Sequence, residues 1–195
     1  MHSNDISKKA QSHQRILQAA SRKVRRAGFH GLGVAEVMKA AGLTHGGFYA
    51  HFPSRDALLA DAVLHASQEL GAVISTHVEA QVRQGQTSFT ALVEGYLADD
   101  QIRNCEEGCP VAALCSEMPS QSLEVRDASR RIVANLHRLV QVALPPGAPK
   151  EAAWTVAGAL VGALQLARAL GDNAEGKAVL AAARAQLIAH YDEPQ

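Results

Sequence analysis

Between residues 44 and 51 the chain places hydrogen-bonding side chains beside two successive glycines: Thr44, His45, Gly46, Gly47, then Tyr49 and His51. A threonine hydroxyl can bond a phosphate or a base. An imidazole can donate to or accept from a purine edge, and a phenol can reach a phosphate oxygen. Glycine pairs inside a helix cost about 1 kcal/mol each against alanine. They are tolerated where the backbone must approach a neighbour closely, either a duplex or a packed helix. Arg55, just downstream, and Lys8 and Lys9, near the start, add candidate phosphate contacts.

Other residues with chemistry are sparser. Cys105, Cys109 and Cys115 lack the spacing of a disulfide framework or a zinc module. Cys109 precedes Pro110 at a predicted helix start, where the helix dipole lowers a thiol pKa. That predicts a redox or electrophile sensor as one alternative function. No histidine, aspartate or asparagine arrangement supports a Cys-His nucleophile pair. There is no glycine-rich phosphate loop, and His45 and His51, six apart, do not share a helix face. Neither a catalytic site, a metal site nor a cofactor is expected. A helical interaction module without DNA binding is a more distant alternative.

The elements that must carry these groups are helical. Apolar residues make up 47% of 195 residues, enough for a sizeable core, and they recur with 3.6-residue periodicity and few strand signals. The spacing predicts an all-α fold. A first helix is expected over about 9–27, closed by Gly28, a second over 34–41, ended by Gly42, and a third over 44–51 with Thr44 as its cap. Val34, Val37, Met38, Leu43, Phe48 and Phe52 would form their core. Ser54 caps a long helix to about Val82. Further helices are expected over 89–103, 110–117, 121–143, 150–170 and 174–190. Two helices joined by a glycine turn are the helix-turn-helix of DNA readers, whose second helix enters the major groove.

The charge distribution agrees. Net charge is zero, yet residues 1–55 carry nine Lys/Arg against two acids, so an acidic body follows a basic head. The polar N-terminus shows no apolar targeting run, and three cysteines suit a reducing cytoplasm. Glu151 and Arg168 bracket 16 uncharged residues, fewer than the roughly 20 needed to span a bilayer. A buried interface helix fits better than a membrane partner. Its apolar character on nearly every side, with Gly158 and Gly162, points to a homodimer face with Val161, and with Leu180, Ala183 and Leu187 of the last helix.

The run from Gly33 to Leu59, with its Ala41-Gly42-Leu43 turn, Phe48-Tyr49-x-His51-Phe52 close and Arg55-x-x-Leu58 helix start, resembles the N-terminal DNA-binding domain of TetR-family transcriptional repressors. The resemblance covers about residues 12–60. It implies a DNA-binding domain over 1–53 and an effector-binding and dimerisation domain over 54–195. It also implies DNA contacts from Thr44, His45, Gly47, Tyr49, His51 and Arg55, and a four-helix bundle across the dimer axis. An effector pocket among the later helices would put Met118, His137, Trp154 and Gln165 in reach of a small molecule. Gly33 stands where the family commonly has a threonine that touches phosphate, His45 where lysine is common, and Ala50 where a larger polar residue is common. More modest, pH-sensitive affinity is therefore expected. The partners implied are a palindromic double-stranded operator, a small apolar effector and a second copy of the chain. Ligand would release the operator by favouring a different separation of the two recognition helices, with the helix from 54 to 82 as lever.

Overall fold

The computed structural model describes residues 2–192, with side chains from Lys8 onward, and shows no strand among them. Eight helices follow in order: α1 (His2–Ala27), α2 (Val34–Ala40), α3 (Arg55–Val82), α4 (Ser88–Tyr96), α5 (Pro110–Leu114), α6 (Leu123–Ala143), α7 (Ala152–Leu170) and α8 (Ala174–Tyr191). Short 3-10 turns occupy His45–Ala50, Asp99–Ile102 and Met118–Ser120.

α1 buries Ile16, Ala20 and Val24 completely, one residue per turn, and stops at Gly28, whose φ of +74° suits glycine alone. It begins before the predicted residue 9, so Lys8 and Lys9 both lie on the helix. The turn after α2 has a specific hydrogen-bond pattern. Leu43 N donates to Met38 O at 2.9 Å and Gly42 N to Lys39 O at 3.0 Å. These are the two bonds of a Schellman close, with Gly42 at φ +70°.

Three predicted helices differ. The segment after Thr44 is a 3-10 turn over His45–Ala50, and the Thr44 side chain makes no capping bond. Gly46 and Gly47 give the turn little helix propensity, and Phe48 and Phe52, stacked at 5.9 Å, pin it to the core. The helix predicted over 89–103 ends at Tyr96 because Ala98 is extended. Arg184 of α8 takes the Leu97 carbonyl and pairs with Asp99 at 3.1 Å, which fixes the break. α5 ends at Leu114, before the predicted Glu117. Ser54 caps α3 as expected, its hydroxyl accepting from Ala57 N at 2.9 Å.

One continuous core runs from Ile16 to Leu187. α3 is its axis, touching α1 on one side and α4 and α6 on others, while α7 packs between α6 and α8. α3 and α7 are the described helices long and apolar enough to cross a bilayer. Both turn a face inward: Leu58, Leu59 and Val63 on α3, and Val156, Leu160 and Leu164 on α7.

Candidate nucleic-acid interface

The recognition turn is anchored from below and open above. Phe48 and Phe52 are 2% and 1% exposed, beside buried Val37 and Met38. Thr44, His45, Gly46, Tyr49 and Ala50 face solvent, and Tyr49 is 74% exposed. A Cβ placed on Gly46 would meet nothing within 4 Å, and one on Gly47 would touch only Met38 at 3.8 Å and Thr44 at 3.9 Å. Packing within the protomer therefore requires glycine at neither position.

His51 closes the turn half-buried. Its Nδ1 is enclosed without a hydrogen-bond partner. Its ring lies 6.1 Å from His13, which is itself stacked on Phe52 at 4.6 Å. Burial pushes the His51 pKa down, and the nearby charges of His13 and Lys9 push it the same way. Lys8 and Lys9 are exposed on α1. Arg55 has other work in this fold. Its Nε donates to Leu32 O at 3.2 Å and its Nη2 to Phe29 O, so it ties the α1–α2 connector to α3.

The basic excess of the head is not spread over this surface. Arg22 pairs with Glu107 at 3.1 Å, Arg26 with Glu106 at 3.0 Å, and Lys23 with Glu36 at 2.7 Å. Arg25, 4% exposed, holds Glu69 at 2.7 Å and donates to the carbonyls of Ser21 and Gly108. Beside this seam the Glu117 carboxylate accepts from Phe29 N at 3.1 Å and fills the space where a Gly28 side chain would be. The second half of α1 is thus clasped to the body. Lys8, Lys9, Arg15 and Lys39 carry no ion pair among the described residues.

In the body, Met118 and Trp154 line one cleft of about 500 Å³, together with Cys115, Arg126 and Arg130. His137 stacks on the indole at 4.0 Å. Gln165 stands apart, donating to Ala112 O. The cysteines do not converge. Cys109 is 2% exposed, and burial raises its thiol pKa more than the neighbouring Tyr96 hydroxyl and the α5 backbone lower it. This reverses the expectation of a thiol activated at a helix start: desolvation outweighs the small dipole of a five-residue helix. Cys105 is half-buried and Cys115 exposed.

Residues 16–62 match the family model described as bacterial regulatory proteins, tetR family. These residues form a DNA-binding domain of the TetR family. It is similar to the HTH-type transcriptional regulator BetI of Yersinia pestis, 28% identical over 163 residues that cover 82% of each chain. By fold it is similar to the reduced form of NemR from E. coli, with a TM-score of 0.76 at 18% identity, covering 94% of this chain and 98% of the other. A TetR-family regulator from Agrobacterium tumefaciens matches over the same shares, with a TM-score of 0.69 at 23% identity. The relatives are transcriptional regulators, which sets aside an enzymatic reading. Regulators of this family bind operator DNA, act as dimers and answer to small molecules.

The TetR-type body presents an outward face on α7 and α8 that differs from the predicted one. Leu180 and Leu187 are 0% and 8% exposed and belong to the protomer core. Gly158 is open, Val161, Gly162 and Ala183 are half-buried, and Leu166 is 62% exposed. On α8 the exposed positions include alanines at 178, 181, 182, 185 and 189, beside polar Lys177, Gln186 and His190. Continuing the helical period from Leu180 and Leu187 to the opposite side would have found them.

Proposed function

We propose that this regulator binds a palindromic operator as a homodimer, represses transcription in the bacterial cytoplasm and releases DNA when a small, mostly apolar effector binds the body. What carries this reading is the recognition turn, where exposed Thr44, His45 and Tyr49 stand on a buried aromatic base beside glycines that packing does not require. Thr44, His45, Gly46 and Gly47 would meet base edges. Tyr49, His51, Lys8 and Lys9 would hold phosphates, and Arg55 would act chiefly by fixing the connector. The head would comprise residues 1–53 and the body 54–195.

Two copies meeting through Gly158, Val161, Gly162, Leu166 and Ala183 would set the recognition turns about 34 Å apart, one turn of duplex. Met118, His137, Trp154 and Gln165 are a first set of candidate effector contacts. The clasp between α1 and residues 106–117 supports the coupling, because any shift of that segment moves the head. Release then equals the difference in ligand affinity between the two states.

Fluorescence anisotropy with duplex from the chain's own promoter tests the reading. Thr44→Ala, His45→Ala and Tyr49→Phe should each weaken binding about 5- to 100-fold while circular dichroism stays unchanged. Wild-type affinity in all three variants, or no binding by the parent protein, refutes it.

A further inference from the structure

Beside the clasp lies a cavity that contains none of the predicted effector residues. It encloses about 350 Å³ between α3, α4 and the stretch from Ala98 to Cys109, with Leu70, Val73, Ile74 and Leu164 on its apolar side. A second cavity, about 370 Å³ between α3, α5 and α6, shares Leu70 and Cys109 with it. Tyr96 lines the first and is 2% exposed; its hydroxyl has no oxygen or nitrogen partner and meets only the buried Cys109 thiol. His77 lines it too, and its Nε2 is likewise enclosed and unpartnered. The imidazole lies against Gly95, where a Cβ would come within 2.6 Å of the ring. Buried polar atoms are nearly always bonded. One unmet atom and one met only by a weakly accepting thiol, both on the wall of a partly apolar cavity, are the arrangement a small-molecule site presents before its ligand supplies better partners.

Resting on the reading of this chain as an effector-responsive regulator, we propose that this cavity binds a small, uncharged, mostly apolar molecule of one or two rings, whose oxygen accepts a hydrogen bond from the Tyr96 hydroxyl while a second polar atom meets His77 Nε2. Asp100 and Glu107 line the same cavity and disfavour an anion. Glu107 is already paired with Arg22 and Asp100 is exposed to water, so neither offers a desolvated cation a buried free partner. The volume lies at the small end of ligand sites, about 300–1,000 Å³. Its wall is also the clasp: Glu107 holds Arg22, and the Gly108 carbonyl accepts from Arg25.

The test uses the full chain and the neutral fluorescent naphthyl ketone prodan. Saturable binding with blue-shifted emission is expected, weaker by about five- to tenfold in Tyr96→Phe, which loses one hydrogen bond and no volume. In competition, 2-acetylnaphthalene should outcompete 2-ethylnaphthalene, which has no acceptor, and the gap should close in Tyr96→Phe. Gly95→Ala, whose Cβ would displace the His77 ring from its place on the cavity wall, should also weaken binding, with melting temperatures confirming that both variants fold. Absent saturable binding, equal affinity in Tyr96→Phe, or loss of binding in Trp154→Ala alone each overturns the proposal. Promoter anisotropy separates the two readings: Tyr96-dependent prodan binding that leaves DNA affinity unchanged sinks the effector role and keeps the site.

Discussion

Replacing Arg25 by methionine should unfold the protein earlier by far more than any other change along the α1 seam. The side chain is 4% exposed and makes bonds to Glu69 at 2.7 Å, Ser21 O at 3.1 Å and Gly108 O at 3.4 Å. Breaking a fully buried ion pair by removing one partner costs about 3–5 kcal/mol. Here the Glu69 side chain is 31% exposed and keeps Ser21 Oγ at 3.1 Å and His65 at 3.4 Å, which lowers the cost. The orphaned Gly108 carbonyl adds about 1 kcal/mol. The total is about 2–4 kcal/mol, and at about 2–4 °C per kcal/mol for a chain this size the midpoint should fall by roughly 4–16 °C. Arg22→Met is the control. Its pair with Glu107 is 46% and 59% exposed, so about 1 kcal/mol or less is at stake. Thermal melts by circular dichroism, at one protein concentration because a dimer's midpoint depends on it, decide the matter. A midpoint for Arg25→Met within 2 °C of wild type, or equal losses in both variants, refutes the reasoning. The double variant Arg25→Met/Glu69→Leu should regain part of the loss, since no charge is left without its partner.

Three further outcomes follow from the same geometry. Burial first, then His13 and Lys9, hold His51 below its ordinary value. A histidine depressed in the fold stabilises it fully above the unfolded-state value of about 6.5, and that stability is lost as pH falls below it. Melting temperature should therefore drop between pH 7.5 and 5.5 less steeply in His51→Gln than in wild type. DNA affinity should rise over the same fall in wild type more than in the variant, because a phosphate at His51 favours its protonated form; equal slopes argue against both. Thiol titration with Ellman's reagent should modify exposed Cys115 first and buried Cys109 only on unfolding. Fast modification of Cys109 in the native protein would restore the redox alternative, which serine replacement of all three cysteines tests further. Finally, Leu166→Glu on the outward face of α7 should yield a monomer of unchanged helicity by light scattering, and a persistent dimer would move the interface elsewhere.

Local features were legible in the sequence because their causes are local. The glycine stops at 28 and 42, the Ser54 cap and the one-face periodicity of α1 and α6 each depend on residues within a turn or two. What spacing missed has distant partners. The break after Tyr96 is held by Arg184, 87 residues away, and the end of α1 by Glu106, Glu107 and Glu117, 80 to 88 residues away. Cys109 looked activated beside Pro110, yet its burial comes from the core around it. Leu180 and Leu187 read as a surplus apolar face because nothing local tells a core stripe from an interface stripe. Tyr96 and His77 gave no signal at all: an isolated tyrosine and histidine on different helices acquire meaning only once a cavity joins them.

The clasp also changes what the basic composition means for DNA. Nine Lys/Arg in residues 1–55 invite the view that each protomer neutralises many phosphates. If all nine on both protomers did so, the slope of log affinity against log salt would approach about −16. Four of them face carboxylates within the protomer, and Arg55 is bonded to two carbonyls. That leaves Lys8, Lys9, Arg15 and Lys39, eight cations per dimer, and a slope no steeper than about −7. Protonation of His51 on phosphate would add to it at low pH, so the measurement belongs near pH 8. Anisotropy titrations of promoter duplex from 50 to 300 mM salt give the number. A slope near −16 would mean that the α1 arginines leave their carboxylates when DNA arrives, and the clasp could not then transmit anything between body and head.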